Sequence, residues 1–340
     1  MRSPGSQCPW YADAFFIGMS NMGMSSASLA ALVETIRTLP GVTGKSAIRA
    51  VSETLGASDW YEGPGDDGAV VSDSGGHAIV CGEAIISSLI AADPRGAGIS
   101  AILANVNDVA AMGARPLAIV DTVVGSEAVI RAMLEGLNWA AQLYDVPIVG
   151  GHLTQTDGPA ALSAFAMGRA TNVLSARNTA AGHSLILGCC LEGAMRADFP
   201  FFTALDTRGA KMAGDVRLLA EIADRGLAVA AKDVSMAGLV GSLAMLLEAN
   251  KLGVTVDLDA VPVPVGVELV DWLGCFPSFA FLLTAPVETE QECLAMFHAR
   301  GLTAVRLGVL DETGKISLRS GAETHTAFDL TVESVTYLHD

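Results

Sequence analysis

Two adjacent aspartates, Asp66 and Asp67, follow a turn rich in glycine and proline in the stretch WYEGPGDDGAV. Gly and Asp are ordinary turn residues, so one interpretation is a solvated surface loop. Neighbouring carboxylates also repel each other unless a cation lies between them, so the other interpretation is a site for a metal ion that carries phosphate. The pair alone leaves both interpretations open.

Three later segments carry residues that suit such a site. They are NVNDVAAMGARPLAIVD (105–121), VGGHLTQTDG (149–158) and KDVSMAGLVGSLAMLLEA (232–249). Asn105 and Asp108 lie one turn apart on a predicted helix, on a face that otherwise carries alanines, so another group could approach it closely. Gly150 and Gly151 are predicted to end a strand, where the lack of side chains lets backbone N–H groups reach an anion.

Other catalytic motifs are not supported. The string GVTGKS lacks the first glycine of a Walker A loop, because Leu39 stands at that position. Lys45 is therefore interpreted as a solvated helix start, although a lysine there could reach a phosphate. No Gly-x-Ser-x-Gly follows a strand, and His152 and His183 have no Asp or Ser partner at a recognisable spacing.

Composition limits the classes of partner. The chain has 37 acidic and 20 basic residues and a formal charge of −17, which disfavours nucleic acid and anionic membranes as partners and means that a polyanionic substrate needs metal ions. We find no apolar run long enough to span a membrane and no secretory signal. The six cysteines form no Cys-x-x-Cys pair, which is typical of a cytoplasmic protein with reduced thiols.

The order of predicted elements indicates an α+β protein of two domains. Hydrophobic periodicity predicts helices over 28–39, 45–55, 99–112 and 127–144, with a hairpin over 68–82 and strands near 116–124, 146–151 and 161–170. This mixture of hairpins and helices does not fit a doubly wound sheet. We predict an extension over 1–26, a first domain over 27–175 and a second α+β domain over 176–340.

In order and spacing, GPGDDGAV (63–70) and the three later segments resemble the aminoimidazole ribonucleotide synthetase (PurM-like) superfamily, over roughly residues 27 to 335. The most specific part is Val106-Asn107-Asp108 followed by Gly113-Ala114-Arg115-Pro116. The chain looks like an AIR synthase-related branch, and the named relative nearest to it is thiamine-monophosphate kinase. The form Gly-Asp-Asp-x-Ala-Val and the absence of added domains favour that relative.

The resemblance implies a homodimer in which the first domains pair their sheets into a barrel, with ATP in a cleft near the dimer interface. It implies that carboxylates hold Mg²⁺ on the ATP phosphates. The implied metal ligands are Asp66, Asp67, Glu83 and Asp108, and the implied nucleotide contacts are Asp66, Asp67, Asn107, Asp108, Gly150, Gly151 and His152. For catalysis we predict that Asp233 positions or deprotonates the acceptor and that Lys232 stabilises the transferred phosphoryl group.

The chain departs from the superfamily pattern at two places. His152 stands where an acidic residue usually follows the glycine pair, and Met236 and Ala237 replace the second Asp and first Gly of Asp-x-Ser-Asp-Gly-Gly. A thioether is a poor ligand for Mg²⁺ because it is soft and the ion is hard. We therefore expect an ATP- and Mg²⁺-dependent enzyme acting on a small molecule, with a nucleotide-binding scaffold that has lost turnover as the alternative.

Overall fold

The computed structural model describes residues 26–55, 65–73 and 75–338. The predicted extension over 1–26 therefore lies outside the described residues, apart from Ser26. The elements of the first half are α1 (Ser26–Thr38), α2 (Pro40–Thr43), α3 (Arg49–Leu55), β1 (Ala69–Asp73), β2 (Gly76–Ala84), α4 (Ser87–Ala92), α5 (Pro94–Ala111), β3 (Arg115–Gly125), α6 (Glu127–Tyr144), β4 (Ile148–Gln155) and β5 (Ala161–Ala170).

The second half is also mixed. Its elements are β6 (Ser184–Cys189), β7 (Ala194–Met195), β8 (Phe201–Thr203), α7 (Leu205–Arg208), α8 (Lys211–Asp224), β9 (Ala230–Asp233), α9 (Gly238–Glu248), β10 (Gly253–Asp257), α10 (Leu269–Gly274), β11 (Phe276–Pro277), β12 (Ala280–Ala285), α11 (Glu290–His298), β13 (Thr303–Asp311), β14 (Lys315–Ser320) and β15 (Glu323–Asp329). None of the helices in the described ranges is both long and apolar enough to cross a membrane.

The first half builds a sheet whose five described strands run in the order β1-β2-β5-β3-β4. Its neighbours are antiparallel except for β3 and β4, which are parallel and are connected through α6. Helices α5 and α6 pack closely because glycines face each other: a Cβ on Gly98 would lie 2.2 Å from the carbonyl oxygen of Met133, and one on Gly136 would lie 2.0 Å from that of Arg95. This pair covers one face of the sheet.

The second half builds a larger sheet whose seven described strands run in the order β15-β14-β10-β13-β6-β12-β9. A small sheet, β11-β8-β7, lies beside it. Helix α5 joins the halves, because it contacts α8 and β9 of the second half as well as β2, β3 and β5 of the first. One buried core cluster accordingly contains residues of both halves.

Three element boundaries differ from the sequence predictions. The predicted helix over 45–55 is a 3-10 turn over Gly44–Ile48 followed by α3. Helix α5 begins at Pro94 rather than near residue 99, because Asp93 caps it by accepting a hydrogen bond from the backbone N–H of Gly96 at 2.8 Å. Strand β4 does not end at its glycine pair but continues to Gln155, since pairing with β3 extends through both glycines.

Candidate functional site

Three carboxylates meet where the two halves join. Asp67, Asp108 and Asp233 each offer a carboxylate oxygen, and these oxygens lie within 4.8 Å of one another. Asp67 lies on the turn before β1, Asp108 near the end of α5, and Asp233 at the end of β9. We call this set the carboxylate cluster. It lines a cavity of about 320 Å³.

Local geometry places the turn. Gly65 has φ of +108°, a conformation that favours glycine. A Cβ on Gly68 would lie 2.8 Å from Cγ2 of Ile79, so glycine lets the turn lie flat on β2. Asp67 is therefore held against the second half, where its Oδ2 accepts a hydrogen bond from the backbone N–H of Asp233 at 3.0 Å.

A buried lysine accompanies the cluster. Lys232 forms an ion pair with Asp67, and both side chains are almost completely buried. Burial lowers the pKa of Lys232, but the carboxylates of Asp67 and Asp233 outweigh burial and hold the pKa above its ordinary value. The lysine therefore carries its positive charge at neutral pH.

Burial and mutual repulsion make the cluster receptive to a cation. Burial raises the pKa of Asp233 to about 7, and the charge of Asp67 adds to the rise. Burial, followed by the charges of Asp233 and Asp67, raises the pKa of Asp108 well above its ordinary value. Hard carboxylate oxygens that come from separate elements and repel one another fit Mg²⁺, which would stabilise their ionised forms.

Asp66 has partners of its own. Its Oδ2 accepts a hydrogen bond from the hydroxyl of Ser175 at 2.6 Å, and its Oδ1 accepts one from the backbone N–H of Ala176 at 2.8 Å. Burial raises its pKa to about 6, and these two hydrogen bonds limit the rise. Asp66 therefore ties the turn to the segment between the two sheets, and it lines the same cavity as Asp67, with which it was predicted to bind Mg²⁺.

Glu83 and Lys45 line the same cavity. Glu83 lies on β2, and burial raises its pKa while the charge of Lys45 opposes the rise. Lys45 lies on the 3-10 turn after α2. The structure thus places the half-buried Lys45 on the wall of this cavity, where a lysine could reach a phosphate.

Asn107, predicted as a nucleotide contact, does not line this cavity. It is fully buried, and its amide nitrogen donates to the carbonyl oxygen of Ser278 at 3.3 Å. Its Oδ1 has no hydrogen-bond partner among the described residues. Asn107 therefore links α5 to the segment before β12.

The other predicted nucleotide contacts lie elsewhere in the chain. Gly150, Gly151 and His152 are exposed on the edge strand β4 and are not among the residues that line the cavity. A Cβ on Gly151 would lie 2.9 Å from Oδ1 of Asp121 on β3, so close strand packing already requires glycine there. Within one chain, the structure does not bring these three residues to the carboxylate cluster.

The C-terminal segment also reaches the site, which was not predicted from the sequence. Thr336 and Leu338 line the cavity, although they lie more than one hundred residues beyond Asp233. The buried carboxylate of Glu248 holds this segment: it accepts hydrogen bonds from the N–H groups of Val335 at 2.9 Å and Thr336 at 3.2 Å, and from the hydroxyl of Thr336. The sequence does contain one sign of this contact. Glu248 is the one charged residue of the buried helix α9, so its carboxylate needs hydrogen-bond donors from another part of the chain.

Comparisons with known proteins relate both halves of the chain to one family. Family models of the AIR synthase related protein match both halves, the N-terminal domain over residues 65–170 and the C-terminal domain over residues 206–321. An uncharacterised protein of Synechocystis sp. is 35% identical over 78% of this chain and 84% of its own length. An uncharacterised protein of Methanocaldococcus jannaschii is 30% identical over 91% of this chain and 99% of its own length.

Solved structures show the same fold. PurL of T. maritima complexed with ADP has a TM-score of 0.76 and 16% identity, covering 91% of this chain and 52% of that chain. AaThiL complexed with AMPPCP and TMP has a TM-score of 0.64 and 18% identity, covering 83% of this chain and 96% of that chain. The chain therefore spans about half of that PurL but nearly all of that ThiL.

Proposed function

The chain belongs to the AIR synthase related protein family, and we propose that it is an ATP- and Mg²⁺-dependent enzyme that phosphorylates a small molecule or activates it by phosphorylation. The observation that carries the proposal is the carboxylate cluster, in which Asp67, Asp108 and Asp233 gather beside the buried Lys232. The two structural neighbours described above were solved with adenine nucleotides or an analogue, which supports ATP as the ligand.

We assign the binding of Mg²⁺ to Asp67, Asp108 and Asp233, with Glu83 and Asp66 on the same cavity wall. When bound, the ion neutralises phosphate charge, which a chain of formal charge −17 otherwise repels. Including Asp233 among the ligands extends the predicted metal set, since only a catalytic role was predicted for this residue from the sequence.

The chain's own groups suit phosphoryl transfer. In the proposed step, an acceptor oxygen forms a bond to the γ-phosphorus, the bond from that phosphorus to the bridging oxygen breaks, and ADP leaves. Asp233 has two carboxylate oxygens, so it could orient the acceptor with one of them while the other contacts the ion. Lys232 carries the positive charge that would stabilise the transferred group.

We also propose a homodimer. The outer face of the five-stranded sheet exposes Val80, Val120, Phe165 and Met167 by 37 to 45% each, and these residues surround one apolar hollow. A contiguous apolar surface of this kind is typical of a protein interface. Gly150, Gly151 and His152 lie on the neighbouring edge strand β4. They could therefore make their predicted contacts with a nucleotide that binds near such an interface.

Among the enzymes of this fold, we favour an activity similar to that of thiamine-monophosphate kinase. AaThiL, solved with AMPPCP and TMP, is the neighbour of which this chain covers 96%. A nucleotide-binding scaffold without turnover is the second candidate, and Met236 favours it, because this soft side chain lines the cavity where the superfamily pattern has an acid.

The test is titration calorimetry of the full chain with ATP in the presence of Mg²⁺. We expect binding that Asp67→Asn weakens at least about tenfold, because the variant loses a ligand carboxylate. Asp206→Asn is the control, since it makes the same change of charge at an exposed position on α7. An absence of heat with wild-type protein would refute the nucleotide site. Binding without ADP release, across candidate acceptors, would favour the scaffold.

A further inference from the structure

The two cationic side chains among the described residues that line the cavity, Lys45 and Lys232, differ in their partners. Lys232 is paired with Asp67, whereas Lys45 forms no ion pair and no side-chain hydrogen bond with any described residue. Burial raises the pKa of Glu83 and that of Asp233, and the charge of Lys45 opposes both rises, so its ammonium group lies near these carboxylates. Lys45 therefore keeps its hydrogen-bond donors for an anionic ligand.

Lys45 lies on an exposed segment, residues 40–55, which we call the arm. The arm consists of α2, the 3-10 turn and α3, and Val42 is its one buried residue. Its half-buried residues recur at helical spacing and are Gly41, Lys45, Ile48 and Ser52. Because residues at this spacing share one face of a helix, the arm turns one face to the body of the protein, and Lys45 is at the middle of that face.

The inner end of the arm packs on the loop between β9 and α9. A side chain at Gly41 would collide with the carbonyl oxygen of Met236, so glycine lets α2 lie directly on this loop. A Cβ on Gly241 of α9 would lie 2.8 Å from Cγ2 of Val42, so a second glycine makes room for the arm. The loop follows Asp233, and this packing therefore fixes the start of the arm relative to the carboxylate cluster.

The outer end of the arm is attached to the C-terminal segment. The guanidinium of Arg49 lies over the ring of Tyr337, 4.0 Å from its centroid, and the hydroxyl of Ser52 donates to the carbonyl oxygen of Tyr337 at 3.3 Å. Tyr337 has φ of +57°, which is uncommon for a residue with a side chain, so neighbouring contacts must hold it. Glu248 supplies such contacts through the adjacent Thr336. The arm is thus held at both ends.

The position of Lys45 suits the terminal phosphate of ATP. Phosphoryl transfer places this phosphate between the cation that neutralises its charge and the acceptor, and we have assigned Asp233 to both. Lys45 lines the same cavity, and its charge acts on the carboxylate of Asp233. Its ammonium can therefore donate charge-assisted hydrogen bonds to the oxygens of the γ-phosphate. The β-phosphate lies beyond the bond that breaks, so Lys45 should distinguish ATP from ADP.

We propose that Lys45 binds the γ-phosphate of ATP, and that Tyr337 is a positioning residue that holds Lys45 in the cavity by clamping the arm. Lys45 differs from Lys232 in that no ion pair has to break before it contacts a phosphate. This inference rests on the proposed function, because it takes the carboxylate cluster to be the nucleotide site.

The first experiment is titration calorimetry of the full chain with AMPPCP and with ADP, each in the presence of Mg²⁺. We expect Lys45→Gln to weaken AMPPCP at least about tenfold and ADP at most about twofold, because only AMPPCP carries the terminal phosphate. Lys211→Gln is the control, since it removes the same charge from an exposed residue of α8 outside the cavity. Unchanged binding of AMPPCP, or equal weakening of both nucleotides, would overturn the assignment of Lys45.

The second experiment tests the clamp with the same two nucleotides. Tyr337→Ala removes the ring beneath Arg49, and we expect it to weaken AMPPCP about threefold and to leave ADP unchanged. Tyr337→Phe keeps the ring and should bind both nucleotides as the wild type does. In a chain that already carries Lys45→Gln, Tyr337→Ala should cause no further loss, because the clamp acts through Lys45. An additive loss would contradict the positioning role of Tyr337.

The outcomes separate this inference from the proposed function. If neither nucleotide binds the wild-type chain, the proposed function fails and the inference fails with it. If both bind and Lys45→Gln affects them equally, the nucleotide site stands and only the role of Lys45 is lost. Binding of ADP that persists in each variant shows that the variant is folded.

Discussion

The two large sheets of the molecule differ in how they are covered. In the seven-stranded sheet, every residue of the neighbouring strands β6 and β12 is buried, so both faces of the sheet are packed at these two strands. In the five-stranded sheet, β5 alternates between buried and exposed residues, and the exposed ones include Phe165 and Met167. The larger sheet is therefore covered on both faces at β6 and β12, whereas the five-stranded sheet leaves an apolar face that suits a second copy.

The first prediction concerns truncation of one phenylalanine in each sheet. Phe281 on β12 is fully buried and packs edge-on against Phe279 at 5.0 Å between centroids. We expect Phe281→Ala to lower the free energy of unfolding by about 3 to 5 kcal/mol, because it leaves a cavity. Phe165→Ala should cost the isolated chain less than about 1 kcal/mol. Urea denaturation at low protein concentration measures both, and equal losses would remove the contrast between the sheets.

The second prediction introduces a charge on the open face, by which we mean the exposed apolar face of the five-stranded sheet. Phe165→Asp should weaken self-association at least about 100-fold, which corresponds to about 2.7 kcal/mol, because the carboxylate must be buried at the interface. Sedimentation velocity measures the change. The control is Val309→Asp on β13 of the other sheet, since Val309 is 43% exposed and Phe165 is 45% exposed. A monomeric wild-type protein, or equal effects of both variants, would refute the open-face interface.

The third prediction concerns the cover of the larger sheet. Helix α1 lies against β15, and the guanidinium of Arg37 pairs with both carboxylate oxygens of Glu333 at 2.9 and 2.8 Å. Both side chains are about one-third exposed, so screening by water limits the contribution. We expect Arg37→Met to cost at most about 1 kcal/mol of stability. A larger loss would mean that the attachment of helix α1 to the larger sheet depends on this ion pair more than on apolar packing.

The loss of stability caused by Arg37→Met should depend on pH. The hydrogen bond from Arg37 lowers the pKa of Glu333 below its ordinary value of 4.5. Because the pKa of Glu333 is lower in the folded state than in the unfolded state, its ionised carboxylate stabilises the protein at pH values above 4.5. This contribution is lost as the pH falls through the pKa that Glu333 has in the folded protein. The stability difference between wild type and Arg37→Met should therefore be largest near neutral pH and shrink under acidic conditions, as thermal unfolding in a pH series would show.

Much of the architecture is encoded in local patterns. The family membership, the α+β fold and the β1–β2 hairpin were predicted from motifs and periodicity, and they are confirmed. Strands β14 and β15 were missed. The end of β4 was wrong because glycine is a weak strand residue, while pairing with β3 decides how far the strand runs.

The site was predictable only in part. The motifs named all three members of the carboxylate cluster, but local sequence could not distinguish Asp66 from Asp67. Their partners, Ser175 and Lys232, are more than one hundred residues away, and only the tertiary fold assigns them. The C-terminal wall of the cavity depends on the contact between Glu248 and Thr336, which lie 88 residues apart and which no periodic pattern brings together.

The ion pair between Lys232 and Asp67 has a thermodynamic consequence. A cation that takes the carboxylate of Asp67 leaves the ammonium of Lys232 buried without its counter-charge, which is costly unless an anion replaces it. Metal and triphosphate are therefore expected to bind cooperatively, each raising the affinity for the other by the same factor. When only one of the two ligands binds, its affinity is reduced by the free energy needed to break the ion pair between Lys232 and Asp67. The ion pair therefore disfavours complexes that contain the metal without the triphosphate, or the triphosphate without the metal.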